Sequence, residues 1–294
     1  MANLRDIKTR IGSVKTTRQV TSAMKMVSAA RLKKAQDNIS HIRPYTSRLA
    51  GIIQDLTSTQ EQTLCGDCSV PKDSEGPVLV VAIASNRGLC GGFNVNVVKE
   101  VQSLLDTTLR DDFRQGKVLI GVMGKQAEKM FKSRNLPVDF VYHDMLIAPT
   151  YSSISDFANQ LMADFRKGEL KRVVLVYNEF VNAAVQEVQT HQFLPFSIPE
   201  QPKGAELMDY LIEPDPATII QQLVPKMLQT MMYQVVLESA ASEHGARMTS
   251  MHKATDNATD LIRDLELSYN KARQTAITNQ IVEITGGAEA LSKG

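Results

Sequence analysis

One stretch near the end of the chain limits the folds that are open to it. Residues 226–285 contain no proline and a single glycine, Gly245. A helix across this stretch would be about 90 Å long, far longer than an ordinary domain helix. Because burial of an apolar face supplies most of the stability of a helix, a helix of this length needs a partner along its side.

The apolar residues of this stretch have the spacing of a coiled coil. Steps that alternate between three and four residues form the a and d seam of a heptad repeat. Extended backwards, the register also meets Thr255 and His244, so the predicted seam is thin and imperfect. Its members are Ala258, Ile262, Leu265, Tyr269, Ala272 and Ala276.

Residues 1–56 predict a second long helix. They contain one proline, Pro44, which predicts a kink. This helix is the natural partner for the first, since both have an apolar side. Its predicted seam begins at Ile7, Ile11 and Val14, and its apolar side continues at Met24 and Val27.

The first helix is strongly basic. Residues 1–48 contain eleven Lys and Arg against two Asp, a charge of +9 in a chain whose net charge is +1. Such an asymmetry is expected of a helix that passes close to an acidic partner, although a solvated basic face remains an alternative. A nucleic-acid scaffold is a further alternative, but this segment lacks aromatic residues to stack on bases and contains no recognition motif.

Residues 57–76 predict a surface loop or linker, because they are rich in Ser, Thr, Gly, Asp and Pro. The loop contains Cys65 and Cys68. A single Cys-x-x-Cys pair is half a zinc site at best, and no second pair completes it. We therefore assign no function to the two cysteines.

Residues 77–205 predict an α/β domain. The runs 78–84, 117–123 and 172–177 are continuous and apolar, as in strands that are covered on both faces. Helical stretches at about 95–113, 124–134 and 155–167 lie between them, which predicts a small sheet of βαβ units. Residues 185–196 alternate imperfectly and predict an edge strand. Residues 206–294 then form the C-terminal long helix.

A glycine-rich loop follows the first predicted strand, with Gly88, Gly91 and Gly92. Such a turn from a strand into a helix is where phosphates bind in nucleotide folds, so a nucleotide-binding α/β protein with coiled-coil arms is an alternative function. The spacing fits neither nucleotide fingerprint, because Cys90 stands where Gly-x-Gly-x-x-Gly needs glycine and no Gly-Lys-Ser/Thr follows. Glycines that permit a tight turn explain the loop equally well.

The sequence contains no recognisable catalytic constellation. The five His are scattered without metal-ligand spacing, and no nucleophile elbow occurs. We expect no catalytic residue, cofactor or metal site in this chain. The longest apolar run, residues 78–84, is far shorter than the roughly 20 residues of a membrane span.

Three stretches together resemble the gamma subunit family of the F-type ATP synthase. They are residues 11–31, IGSVKTTRQVTSAMKMVSAAR; residues 86–94, NRGLCGGFN; and residues 242–278, which include SEHGARM, ATDN and YNKARQTAIT. The resemblance covers nearly the whole chain. It begins by about residue 3, which predicts a bacterial protein without a cleaved presequence.

The resemblance implies a fold and a mechanical function. The expected fold is an antiparallel, left-handed coiled coil of the two terminal helices with an inserted Rossmann-like α/β domain. The chain is expected to be the central-stalk rotor, coupling rotation of an ion-driven c-ring to conformational changes in catalytic β subunits. The expected partners are three α and three β subunits, the ε subunit and the c-ring, with the δ subunit possible in the same complex. The expected location is the cytoplasmic face of the bacterial plasma membrane.

The resemblance also implies contact residues. Those expected at the β subunits are Arg10, Met24, Lys25, Cys90, Arg273 and Gln274. Those expected at the c-ring and the ε subunit are Tyr210 and Glu213, although Glu213 would alternatively be a helix cap before Pro214 and Pro216.

Overall fold

The computed structural model of the chain describes residues 4–58, 76–147, 149–197, 213 and 215–292. Its internal contacts divide the chain into two compact units. One consists of Met1–Val27 with Met248–Gly294, which we call the helical unit, and the other of Ser28–Arg247, which we call the domain unit. The predicted linker 57–76, with Cys65 and Cys68, lies almost wholly outside the described residues. The predicted domain boundaries therefore stay a prediction.

Two helices account for most of the described chain outside the sheet. Helix α1 spans Leu4–Ser58 and helix α6 spans Pro216–Ser292, with 55 and 77 residues. Helix α1 continues through Pro44. Helix α6 begins at Pro216, where Asp215 caps it: one carboxylate oxygen of Asp215 accepts from the backbone N–H of Thr218 at 2.9 Å.

Helix α6 also continues through Pro225, a residue that usually ends or kinks a helix. A proline inside a helix removes one backbone hydrogen bond and costs about 3 kcal/mol. Here the flanking residues Ile220, Val224 and Leu228 are all buried. Each such side chain contributes about 1.5–3 kcal/mol when it is fully buried, which offsets the cost.

The domain unit contains a mixed five-stranded sheet in the order β3-β2-β1-β4-β5. All neighbouring strands are parallel except β4 and β5, which form an antiparallel hairpin. The strands are β1 Val78–Ile83, β2 Val118–Met123, β3 Phe140–Val141, β4 Arg172–Phe180 and β5 Gln186–Leu194. The helices between them are α2 Phe93–Asp106, α3 Arg110–Arg114, α4 Lys125–Ser133 and α5 Tyr151–Lys167, with a 3₁₀ helix at His143–Leu146.

The structure confirms the predicted α/β character of this unit. The three apolar runs form β1, β2 and β4, and the imperfectly alternating stretch forms the edge strand β5. Two details differ. The predicted helix 95–113 is two helices, α2 and α3, and the two-residue strand β3 was not predicted, since its side chains are exposed and carry no apolar run.

The sheet lies between two apolar cores. Side chains of β1 alternate between them: Leu79, Val81 and Ile83 face one core, and Val78 and Val80 face the other. The first core also receives α1, α5 and α6, whereas the second receives α2 and α4. The continuous apolar strand pattern therefore reflects burial on both faces, as predicted.

The turn after β2 gives the first testable prediction. Gly124 has φ +116°, and a Cβ atom there would lie 2.6 Å from the carbonyl oxygen of Ala84. We expect Gly124→Ala to lower the free energy of unfolding by about 2–4 kcal/mol, measured by urea denaturation of the isolated chain.

Gly116 provides the matched control, since it has φ +69° but nothing within 4 Å of an added Cβ. Gly116→Ala should cost only about 1 kcal/mol, which is the backbone contribution alone. Equal losses for both variants would show that the close approach to Ala84 is unimportant.

Candidate functional site

The sheet topology defines the place where ligands bind in open α/β sheets. Strands β2 and β4 lie on opposite sides of β1, so the chain reverses direction across the sheet between β1 and β4. In this class of sheet a ligand crevice lies at the carboxyl ends of the two strands that flank the reversal. The glycine loop, residues 84–92, leaves β1 at this point.

Polar side chains of the loop hold its conformation. The carboxamide oxygen of Asn94 accepts from the backbone N–H of Ser85 at 2.9 Å, and its nitrogen donates to Sγ of Cys90 at 3.2 Å. Leu89 and Gly91 both have positive φ, 64° and 58°. Gly91 therefore serves a tight turn, and the Asn94 side chain at the start of α2 stabilises it.

Helix α6 contacts the glycine loop through Arg247. The guanidinium of Arg247 donates to the carbonyl oxygen of Arg87 at 2.9 Å and to that of Gly88 at 3.3 Å. Another of its nitrogens lies 2.6 Å from a carboxylate oxygen of Glu243, one turn earlier on the helix. Arg247 therefore attaches the glycine loop to α6 through the loop's carbonyl groups.

Cys90 lies beneath this contact. Its side chain is only 1% exposed and clusters with Phe93 and Ala246. Burial raises the pKa of the Cys90 thiol, so the thiol stays protonated. A partner that approaches the loop would meet its neighbour Leu89, which is 64% exposed, rather than the thiol.

In the helical unit α1 and α6 are antiparallel, because contact positions rise along one helix as they fall along the other. Three polar pairs show this order: Lys15 with Glu266 at 2.8 Å, Thr21 with Thr255 at 2.8 Å, and Lys25 with His252 at 3.2 Å. None of these pairs was predicted from the sequence. Long-range polar partners leave no local pattern, although Thr255 already stood out as a polar residue in an apolar register.

The predicted seam residues of α6 are its less exposed positions in this unit. Ala258 and Ile262 are buried, and Leu265, Tyr269, Ala272 and Ala276 are half-buried. On α1, Ile7, Ile11 and Val14 are half-buried, and the spacing then continues through Arg18, Thr21 and Lys25. The expected apolar continuation at Val27 is wrong: Val27 is 55% exposed, because it lies on the far side of α1 from this register.

The predicted contact residues differ in their exposure to solvent. Met24 and Lys25 are half-buried in the helical unit, where Arg10, Arg273 and Gln274 are exposed. Arg18, which the sequence did not single out, lines a shallow groove between the helices with Ser22, Met26, Thr255 and Thr259. Glu213 is exposed in a bend before α6, and Tyr210 lies outside the described residues.

Two further features concern only the part of the chain that the structure describes. No cluster of three His, Cys, Asp or Glu side chains there has the arrangement of a metal site. No helix there is both long enough and apolar enough to cross a membrane.

These features define a class of protein in which paired terminal helices carry an inserted α/β domain. A family model described as ATP synthase matches residues 3–291. The ATP synthase gamma chain of Flavobacterium johnsoniae is 47% identical over 293 residues, which cover 99% of this chain and 100% of the relative. That of Flavobacterium psychrophilum is 48% identical over 292 residues, which cover 99% of each. The chain therefore belongs to the ATP synthase gamma chain family.

Solved structures agree in fold. A chain of the Euglena gracilis mitochondrial ATP synthase, in a structure of the OSCP, F1 and c-ring in rotational state 3, matches with a TM-score of 0.66. It is 21% identical, and the match covers 98% of this chain and 94% of that one. A chain from the central stalk and c-ring of the Tetrahymena thermophila enzyme matches with a TM-score of 0.57 over 80% of this chain and 99% of that one, again at 21% identity. The predicted combination of long terminal helices and an α/β domain is confirmed.

His244, next to Glu243 on α6, gives a prediction about pH. Burial, aided by the positive charges of Arg247 and Arg31, lowers the pKa of His244 from its usual 6.5 to about 4. The unfolded chain takes up this proton near pH 6.5 and the folded domain only near pH 4, so stability is lost as the pH falls through this window. The expected contribution is about 1–2 kcal/mol between pH 7 and pH 5.

We expect His244→Gln to show a smaller loss of unfolding free energy between pH 7 and pH 5 than the wild type, in urea denaturation at both values. Glu243 acts in the opposite direction, since burial raises the pKa of its carboxyl group. Its effect is common to both proteins, so the difference between them isolates His244. An unchanged pH dependence would contradict the assignment.

Proposed function

We propose that this chain is the central-stalk rotor subunit of an F-type ATP synthase, in which it couples ion-driven rotation of a c-ring to ATP synthesis, or ATP hydrolysis to ion pumping. It is a non-catalytic subunit, and the chemistry belongs to the β subunits. The observation that carries the proposal is the match to gamma chains along the whole chain, together with two long helices that pair with each other in the helical unit.

The charge of the helical unit is distributed asymmetrically, so its rotation changes the charges that a neighbouring subunit meets. Residues 1–27 carry six Lys and Arg against one Asp, whereas residues 248–294 carry five against six Asp and Glu. The two sides of the helix pair thus present charges of +5 and −1 to their surroundings. A rotor shifts the states of its neighbours only through different affinities for those states, and an asymmetric surface supplies such differences as it turns.

The contacts with the β subunits would involve the residues that the resemblance identifies. Arg10, Arg273 and Gln274 are exposed, and Met24 and Lys25 are half-buried. Exposed ion pairs are worth only about 0–1 kcal/mol each, so they guide a rotating surface without locking it. At the glycine loop the contact would involve Leu89 rather than the buried thiol of Cys90.

Exposed apolar side chains near the C-terminal end of α6 support the proposal that other subunits surround it. Five large apolar side chains there are exposed by 48–87%: Ile277, Ile281, Val282, Ile284 and Leu291. Contiguous exposed apolar residues of this size mark an interaction site. A ring of three α and three β subunits around one copy of this chain would cover them.

The contacts with the c-ring and the ε subunit would involve Tyr210 and Glu213, with the δ subunit elsewhere in the complex. The chain would then lie at the cytoplasmic face of the bacterial plasma membrane without spanning it. We propose no cofactor and no metal for it.

Assembly is the first test. Co-expression with the α and β subunits of the same genome, followed by native mass spectrometry, should give a complex of three α, three β and one copy of this chain. A free monomer or homodimer beside an intact αβ ring would contradict the rotor function.

Arg273→Ala tests a contact residue within the assembled complex. We expect the ATP hydrolysis rate to fall by up to about tenfold with assembly retained, because a hydrogen bond to a charged group is worth about 1.5 kcal/mol or more. Arg263→Ala removes the same charge from another exposed position of α6 and serves as the control. Equal rates for both variants and the wild type would remove Arg273 from the contact.

A further inference from the structure

A charged pair joins both long helices to the end of a central strand. Phe180 is the last residue of β4. Its backbone N–H donates to a carboxylate oxygen of Glu238 on α6 at 3.2 Å, and its carbonyl oxygen accepts from the guanidinium of Arg43 on α1 at 2.9 Å. We call these three residues the Phe180 knot.

The pair within the knot is bidentate. Nε and one terminal nitrogen of Arg43 each donate to a different oxygen of Glu238, both at 2.8 Å. The Glu238 side chain is 3% exposed, and it also accepts from the side chain of Gln234 at 3.2 Å. Two parallel charge-assisted bonds of this kind fix orientation as well as distance.

A second connection lies further along α6, where Arg247 binds the loop carbonyls after β1. Glu238 and Arg247 are nine residues apart, about 14 Å along a helix. Because β1 and β4 are neighbours in the sheet, the two connections hold the carboxyl ends of both central strands to one helix. Gly245 lies between them, and a Cβ atom there would lie 3.3 Å from the carbonyl oxygen of Ala183 in the β4–β5 turn.

The contact of α6 with the sheet has an apolar and a polar part, which resist rotation of the helix in different ways. The hydrophobic effect is non-directional, so the resistance of the apolar part comes from the interdigitation of its side chains with the core. The hydrogen bonds of the knot have direction, since they join the side chains of Arg43 and Glu238 to the backbone N–H and C=O groups of one residue, Phe180. A turn of α6 relative to the sheet would break them and leave the Glu238 carboxylate buried without its partner.

We propose that the Phe180 knot is the torque-bearing coupling between the α/β domain and the long helices, which rests on the rotor function proposed above. Torque that enters at the sheet reaches both helices through the backbone N–H and C=O groups of Phe180, beside the Arg247 contact and the apolar packing of α6. The knot thus carries load in the working complex in addition to its contribution to folding.

The test uses complete, membrane-embedded complexes that carry Arg43→Ala or Arg43→Lys. ATP hydrolysis should stay within about twofold of the wild type, because the helical unit is unaltered. ATP-driven ion pumping against an opposing gradient should fall by about an order of magnitude in Arg43→Ala, since this variant removes a half-exposed guanidinium and leaves the buried Glu238 carboxylate without its partner. Arg43→Lys should be intermediate, because lysine keeps the charge without the planar fork.

Lys15→Ala is the matched control. It removes another ion pair between α1 and α6, with Glu266, which lies in the helical unit and includes no residue of the sheet. Its complexes should pump as many ions per ATP as the wild type. Native mass spectrometry checks that all variants assemble equally. A lower number of ions pumped per ATP then cannot result from missing subunits.

An unchanged ratio of pumping to hydrolysis in assembled Arg43→Ala complexes would overturn the role of the knot. If Arg43→Ala fails to assemble, Arg43→Lys decides in the same way. A wild-type chain that neither assembles nor supports pumping would instead overturn the rotor function itself, and the role of the knot with it.

Discussion

The packing of α6 on one face of the sheet is the contact on which the rest of the domain unit depends. Ile220, Val224, Leu228, Met232 and Val236 follow one another at four-residue steps, and all are buried in the core beneath β1 and β4. This burial stabilises a helix that contains a proline. It also sets the direction of α6 across the carboxyl ends of the central strands, where charged side chains then find their partners. The apolar stripe brings the helix to the sheet, and the polar contacts determine its orientation there.

Much of this fold was predictable because its signals are local. A strand that is buried on both faces consists of consecutive apolar residues, so β1, β2 and β4 stand out in the sequence. A long helix is indicated by the absence of proline and glycine, and its seam by the three-and-four spacing. The short edge strand β3 carries neither signal, since Phe140 and Val141 are largely exposed and pair with β2 only through the backbone. The C-terminal long helix predicted for residues 206–294 includes Pro225, and tertiary burial there overrides the local propensity of proline to end a helix.

The contacts that define the candidate site were not predictable in the same way. Arg43 and Glu238 are 195 positions apart, and each alone is an ordinary charge on a helix. The thin seam of the helical unit is a similar case. Where a regular heptad would have apolar residues, α1 has Arg18, Thr21 and Lys25, and two of these bond to residues of α6. Sequence reasoning extended the apolar side to Val27 because it assumed that an apolar pattern continues, whereas polar pairs had replaced it.

The glycine loop shows why a topological position does not determine a function. Its place after β1, at the reversal of strand order, is where open α/β sheets bind ligands, and its positive φ angles at Leu89 and Gly91 suit a close approach of another group. In this chain the approaching group is the guanidinium of Arg247 on α6, which donates hydrogen bonds to the carbonyl oxygens of the loop. A site of this kind binds a helix as readily as a ligand, since both need exposed backbone groups and a tight turn. The same geometry that serves chemistry in an enzyme here serves attachment, which is what a protein that transmits force requires.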